Sequence, residues 1–223
     1  MKMNRIILAL LTVAAFGTAR AQEVDLQQVV RETQISRQNG QQMNFVWYVP
    51  TEYWAESFKK SPGLGERQRQ ELLSAIDDYL VVAALEGTIG TLGVLAATPK
   101  DELEKKASVA IGDAVLKPLP ESELSPGART FVQIMKPVLA NMLGPMGSGM
   151  HFVMFKGKDA QGNRVADPTK PGRLTFKMGE EEFNFRLPLG SLLPPKYDKG
   201  TGERFPGNYI YSPYTGKKLS TQP

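Results

Sequence analysis

His151 is the chain's single histidine, so a Ser/His/Asp triad or an imidazole metal site would have to be built on it. Ser148 is the hydroxyl such a hydrolase would use. His151 opens an apolar run after a Gly-rich turn, however, which is also where a hydrogen-bonded strand-end histidine sits. Neither HExxH nor GxSxG occurs in the chain. With one His and no Cys, thiol nucleophiles, Fe–S clusters and thiolate metal sites are excluded, and a zinc enzyme nearly so. Carboxylates pair at Glu52/Glu56, Asp77/Asp78 and Glu180–Glu182. A glycosidase needs two carboxyls on opposite sides of one bond. Glu52 and Glu56 share one helix face, Glu180–Glu182 fall in a turn, and Asp77/Asp78 read as a helix end. The glycines of Gly144–Gly149 precede a strand rather than a Lys-Ser/Thr helix start, so they do not form a phosphate loop. Met135, Met142, Met146, Met150 and Met154 suggest thioether copper ligands. Their spacing on an apolar helix face is that of core residues.

The elements that must position these residues can be read along the chain. Asp25 predicts a helix cap, with the helix running to about Arg37 and ended by Asn39-Gly40. Met43–Val49 is apolar on both alternating faces, which predicts an interior strand. A short helix follows Pro50, carrying Tyr53, Trp54 and Phe58, and a second helix spans Glu66–Asp78. Tyr79–Glu86 and Ile89–Ala97 read as a hairpin. Glu86 and three glycines interrupt that stretch, so it is not a membrane span. A charged helix starts near Lys100, and Val109–Leu116 returns to strand, interrupted by Gly112. Ser125-Pro126 opens the longest helix, with Pro137 inside it. Gly144–Gly149 is expected to be a flexible break, and Met150–Phe155 another two-faced strand. Residues 156–172 form a polar loop, and Leu174–Met178 and Phe183–Leu187 make a hairpin around Gly179-Glu180. About seven strands and three or four helices in mixed order predict an α+β fold with a largely antiparallel mixed sheet. A small Gly/Pro/Tyr-rich β-ribbon is expected at the C-terminus.

The N-terminus carries the clearest functional signal. Lys2 and Arg5, the apolar run Ile6–Phe16 and the exit Ala19-Arg20-Ala21 have the layout of a secretory signal peptide. Cleavage after Ala21 predicts a periplasmic or extracellular protein. Three of the 27 basic residues leave with the signal and no acid does, so the mature balance is 24 against 23. No basic footprint remains for nucleic acid. The expected organisation is a signal peptide (1–21), a globular α+β domain (22–193) and a tail (194–223).

Within the tail, Asp198-x-x-Thr201-Gly202 is followed after ten residues by Ser212-x-x-Thr215-Gly216. This resembles a zinc ribbon, two C-x-x-C-G knuckles, with every cysteine replaced. The resemblance covers residues 195–219. It implies paired turns without a metal, since these four side chains cannot stand in for thiolates around Zn²⁺. So small a ribbon lacks a core of its own. Phe205, Tyr209, Tyr211 and Tyr214 are therefore expected to pack on the main domain or to offer a docking surface.

These readings converge on an exported, non-enzymatic globular protein that binds a protein or cell-envelope partner. No cofactor or metal, no nucleic acid and no stable membrane insertion is expected. Trp47, Trp54, Tyr209, Tyr211 and Tyr214 are the candidate binding residues. One alternative is a hydrolase using His151 and Ser148. Another is a small-ligand carrier with Trp47 and Trp54 in an aromatic cleft.

Overall fold

The computed structural model describes residues 24–222, and the expected signal peptide (1–21) lies outside them. Strands that are apolar on both faces must be covered on both faces, and this requirement organises the fold. The central sheet contains β1 (Gln34–Asn39), β2 (Gln42–Tyr48), β3 (Tyr79–Ile89), β4 (Leu95–Ala97) and β7 (His151–Lys156). Its order is β1-β2-β3, and the far edge of β3 is shared by β7 and β4. The second sheet is β6-β5-β8-β9, made of Ala114–Leu116, Ala107–Ile111, Gly172–Met178 and Glu181–Leu187. Every pairing between these strands is antiparallel.

Alternation then sorts the side chains into two cores. Phe45, Trp47, Val81, Ala83, Phe152 and Met154 face a layer of helices. That layer contains α1 (Leu26–Thr33), α2 (Thr51–Lys59), α3 (Glu66–Ile76) and α5 (Pro126–Leu143). Val46, Tyr48, Val82, Ala84, Val153 and Phe155 face the second sheet, meeting Val109, Leu174, Phe176 and Phe185. The fold is thus α+β with three layers: helices, central sheet, outer sheet. Two further helices are short, α4 (Lys100–Lys106) and α6 (Pro145–Gly149).

Two local expectations are corrected. The first helix stops at Thr33, and Gln34–Asn39 forms edge strand β1, paired Gln34↔Trp47 through Asn39↔Gln42. Asn39 ends the strand rather than a helix, and Gly40-Gln41 makes the hairpin turn to β2, with Gly40 at φ 58°. The segment Gly144–Gly149, expected to be a flexible break, folds as α6 against α5. A Cβ at Gly147 would lie 2.0 Å from the Leu139 carbonyl oxygen, so only glycine permits that approach.

The tail follows a 3₁₀ turn at Gly190–Leu192. It pairs β10 (Lys196–Tyr197) with β11 (Arg204–Phe205), and isolated bridges join Tyr197 to Ser220 and Tyr211 to Lys218. It is fastened to the rest of the chain by Gly207 N–H donating to Gly190 O (3.0 Å) and Asn208 Nδ2 donating to Pro188 O (3.1 Å). Phe205 and Leu219 are buried.

Candidate functional site

The structure separates most of the residues singled out by chemistry. His151 heads β7, and its Nε2 lies 3.0 Å from the Thr98 carbonyl. A carbonyl only accepts, so Nε2 carries the proton. Partial burial pushes the imidazole below its ordinary pKa, against the pull of the Thr98 carbonyl, with Lys136 and Lys100 adding to the depression. The ring is therefore neutral near pH 7. Ser148 Oγ turns back to its own helix, 3.4 Å from Gly144 O. No hydrogen bond joins Ser148 to His151.

Trp47 and Trp54 lie inside the core between central sheet and helices, so neither faces an open cleft. Trp47 Nε1 donates to Thr33 Oγ1, which itself donates to Val29 O. Trp54 contacts the rings of Trp47, Tyr53, Phe58, Phe131 and Phe152. Helical spacing on α2 and α5 and alternation on the strands bring these rings to one place. Met135, Met150 and Met154 share that core, whereas Met142 is exposed.

All of the paired acids except Glu180 are spent on ion pairs. Glu56 faces Lys59 and Lys60, Lys158 bridges Asp77 and Asp78, and Lys177 meets Glu182 at 2.6 Å. Glu52 pairs with Arg164 beside the Tyr48 hydroxyl, around a cavity of about 30 Å³, which is room for a water or two. Burial, and next the Glu52 charge, hold the Tyr48 phenol well above its usual pKa. It stays a neutral hydroxyl beside an ion pair. Sequence reading missed this cluster because Tyr48 looks like one more apolar strand residue.

Among the tail candidates, spacing and structure meet. Asp198 and Ser212, at the first position of each knuckle, are 1% and 3% exposed. Each knuckle is closed by a glycine at positive φ. Gly202 N–H donates to Asp198 O (2.7 Å) and Gly216 N–H to Ser212 O (2.9 Å). The carboxylate of Asp198 then ties the two together. Thr215 Oγ1 donates to Asp198 Oδ2 (2.6 Å) and Gly200 N–H to Oδ1 (2.8 Å). Ser212 and Thr201 act on the same carboxylate more weakly, and both lower its pKa. These donors, Thr215 foremost, hold the Asp198 carboxyl below its ordinary range against the opposing effect of desolvation.

Around this hub the tail exposes large side chains. Tyr209 is 43% exposed, Ile210 57%, Tyr211 59% and Tyr214 76%. Buried Phe205 stacks with Tyr209 (6.1 Å between centroids) and meets Tyr214 at the same distance. Lys196 Nζ donates to Tyr209 O at 2.6 Å. The ring positions are thus held from beneath.

Among the described residues, no three His, Cys, Asp or Glu side chains gather to hold a metal ion. No helix there is long and apolar enough to cross a membrane. No family model matches the chain, and neither a curated protein nor a solved structure is similar to it.

Proposed function

We propose that this chain is an exported, non-enzymatic binding module that contacts a protein or cell-envelope partner through its tail. The observation that carries the reading is the exposed group Tyr209, Ile210, Tyr211 and Tyr214 on a segment fastened at Gly207, Phe205 and Asp198. Exposed apolar side chains that are clustered and positioned mark interaction surfaces. Tyrosine supplies large contact area at little entropic cost. The signal-like N-terminus supports export, and the engagement of His151 with Thr98 speaks for a structural role of that residue.

The test immobilises the chain and measures retention of envelope and secreted components. A variant carrying Tyr209→Ala, Tyr211→Ala and Tyr214→Ala should lose retention by about tenfold or more, the scale of a lost aromatic anchor. Its central-sheet amides should exchange as in the parent, because the packing lost with Tyr209 and Tyr214 is on Phe205 within the tail. Val115→Ala, an exposed apolar site on the outer sheet, should bind as the parent does. Undiminished retention in the triple variant would defeat the proposal.

The tail itself reads as a zinc ribbon in which hydrogen bonds to Asp198 take the place of the metal. A chain with Asp198→Cys, Thr201→Cys, Ser212→Cys and Thr215→Cys should then acquire a metal site. Added Co²⁺ is expected to give the intense visible absorption of a tetrahedral thiolate complex. A spectrum of hydrated Co²⁺ at every ratio would show that the four positions do not converge in ribbon geometry.

A further inference from the structure

The two sheets pack through an apolar layer that ends at Val46 and Ala84. One register step further, β1, β2 and β3 place Arg37, Asn44 and Glu86 side by side in a cross-strand row. By alternation this row faces the outer sheet. There the β8–β9 turn and the end of α4 do not close the gap. A cleft of about 660 Å³ remains, with Asn44 as its floor and Arg37, Glu86, Lys106 and Glu181 on its walls. That is the size range of small-ligand sites.

The bonding within the cleft is uneven. Arg37 Nη1 donates to Glu181 at 2.7 Å, and its guanidinium lies 4.7 Å over the Phe183 ring. Glu86 accepts from Thr98 Oγ1 (2.8 Å) and from Lys106 Nζ. Each of these four charges is drawn to its own partner, while Glu180 on the exposed rim has none among the described residues. Asn44 between them is 6% exposed, and its carboxamide oxygen has no hydrogen-bond partner. A buried acceptor left empty is costly, and an apolar residue would serve the packing better.

We propose that this cleft binds a neutral, hydroxyl-rich ligand, a saccharide by chemical class. The bonding pattern selects for that chemistry. An anion would compete with Glu181 and Glu86 for Arg37 and Lys106, and a cation would find only the exposed Glu180 carboxylate on the rim without a lysine or arginine partner. A hydroxyl needs no counter-charge, because it donates to Asn44 Oδ1 while accepting from the remaining hydrogens of Arg37 or Lys106. The amides of Gln38 and Gln42 on the rim offer the same mixed donor and acceptor character. This site is distinct from the tail and stands or falls independently of it.

The experiment is a titration of the ¹⁵N-labelled chain, following the Asn44 side-chain amide by NMR. N,N′-diacetylchitobiose and trehalose are the neutral probes, and glutamate is the charged one. Saturable shifts are expected with at least one disaccharide and none with glutamate. Read through the backbone amides of Gln42 and Glu86, since the reporter side chain is gone, Asn44→Leu should weaken the response by about tenfold or more, the scale of a lost hydrogen bond in a polar site. Its thermal midpoint should be no lower than the parent's, since an unsatisfied acceptor has been removed. Followed through the backbone amides of Gln42 and Glu86, Asn44→Ala provides the same comparison should leucine disturb the sheet spacing. No saturable response to either sugar, a response that survives both substitutions, or equal binding of glutamate would overturn the proposal.

Discussion

Replacing Trp54 by alanine is expected to destabilise the fold by about 3–5 kcal/mol, the range for truncating a large buried aromatic. Against a total stability on the order of 5–15 kcal/mol, that is the largest single-residue effect anticipated for this chain. The reason lies in its neighbours. Trp54 is 2% exposed, and the Phe131 and Phe152 rings lie 5.1 and 6.3 Å from its own. The indole thus joins α2 to α5 and to the central sheet, and alanine would leave a void touching all three. Chemical denaturation monitored by the remaining Trp47 fluorescence would read the loss. Trp54→Phe sharpens the argument. The indole Nε1 is buried without a partner, so phenylalanine removes both an unsatisfied donor and some volume. These effects oppose one another, and Trp54→Phe should cost much less than Trp54→Ala. Equal losses in the two variants would mean that the indole nitrogen has a partner and that polar bonding, rather than volume, dominates at this position.

The second large effect belongs to the tail. Asp198→Ala should release it locally, with amide exchange at Gly200 and Gly202 faster by roughly ten- to hundredfold, as expected when charge-assisted hydrogen bonds are lost. Amides of the central sheet should exchange as before, because the tail is joined to it through few contacts. Asp198→Asn separates charge from shape, since its amide keeps one acceptor for Thr215 Oγ1 and should leave partial protection. The pH dependence follows from the same bonds. The carboxyl of Asp198 is held below its ordinary value of 3.8, so its contribution is fully present above that value. It is lost as pH falls below 3.8 and through the depressed folded value. Tail protection should therefore disappear in acid and be constant from about pH 5 upward. Tail amides whose exchange, corrected for intrinsic pH effects, ignored Asp198 protonation would contradict the role assigned to it.

How much of this was legible beforehand depended on whether an element's burial leaves a mark in one stretch of chain. Met43–Val49 and Met150–Phe155 announced a covered sheet because both faces of each strand are apolar, and the structure covers both. The β8–β9 hairpin was legible from alternation around Gly179, which has φ 60°. Strand β1 was not. Gln34–Asn39 is polar and mostly exposed, so no period distinguishes it from a helix end, and only backbone pairing with β2 makes it a strand. The Gly-rich break before His151 was misjudged for a related reason. Its glycines permit close packing on Leu139 rather than freedom. Trp47 and Trp54 read as cleft candidates in the sequence, and composition alone cannot tell a cleft from a core. Their burial is decided by which helices lie over the sheet.

Sequence by itself determined the mixed α+β class, the two-faced central strands, the lack of thiols and the matched spacing of two turns in the tail. Each is written in residues close together in the chain, where period, composition and turn chemistry act locally. Tertiary structure alone decided that Asp198 and Thr215 meet across those turns, and that Tyr48, Glu52 and Arg164 surround one cavity. It alone left Asn44 unpartnered between Arg37 and Glu86. Such juxtapositions come from strand register and from layers closing over one another. A one-residue slip in register would turn Asn44 to the helix face and dissolve the cleft.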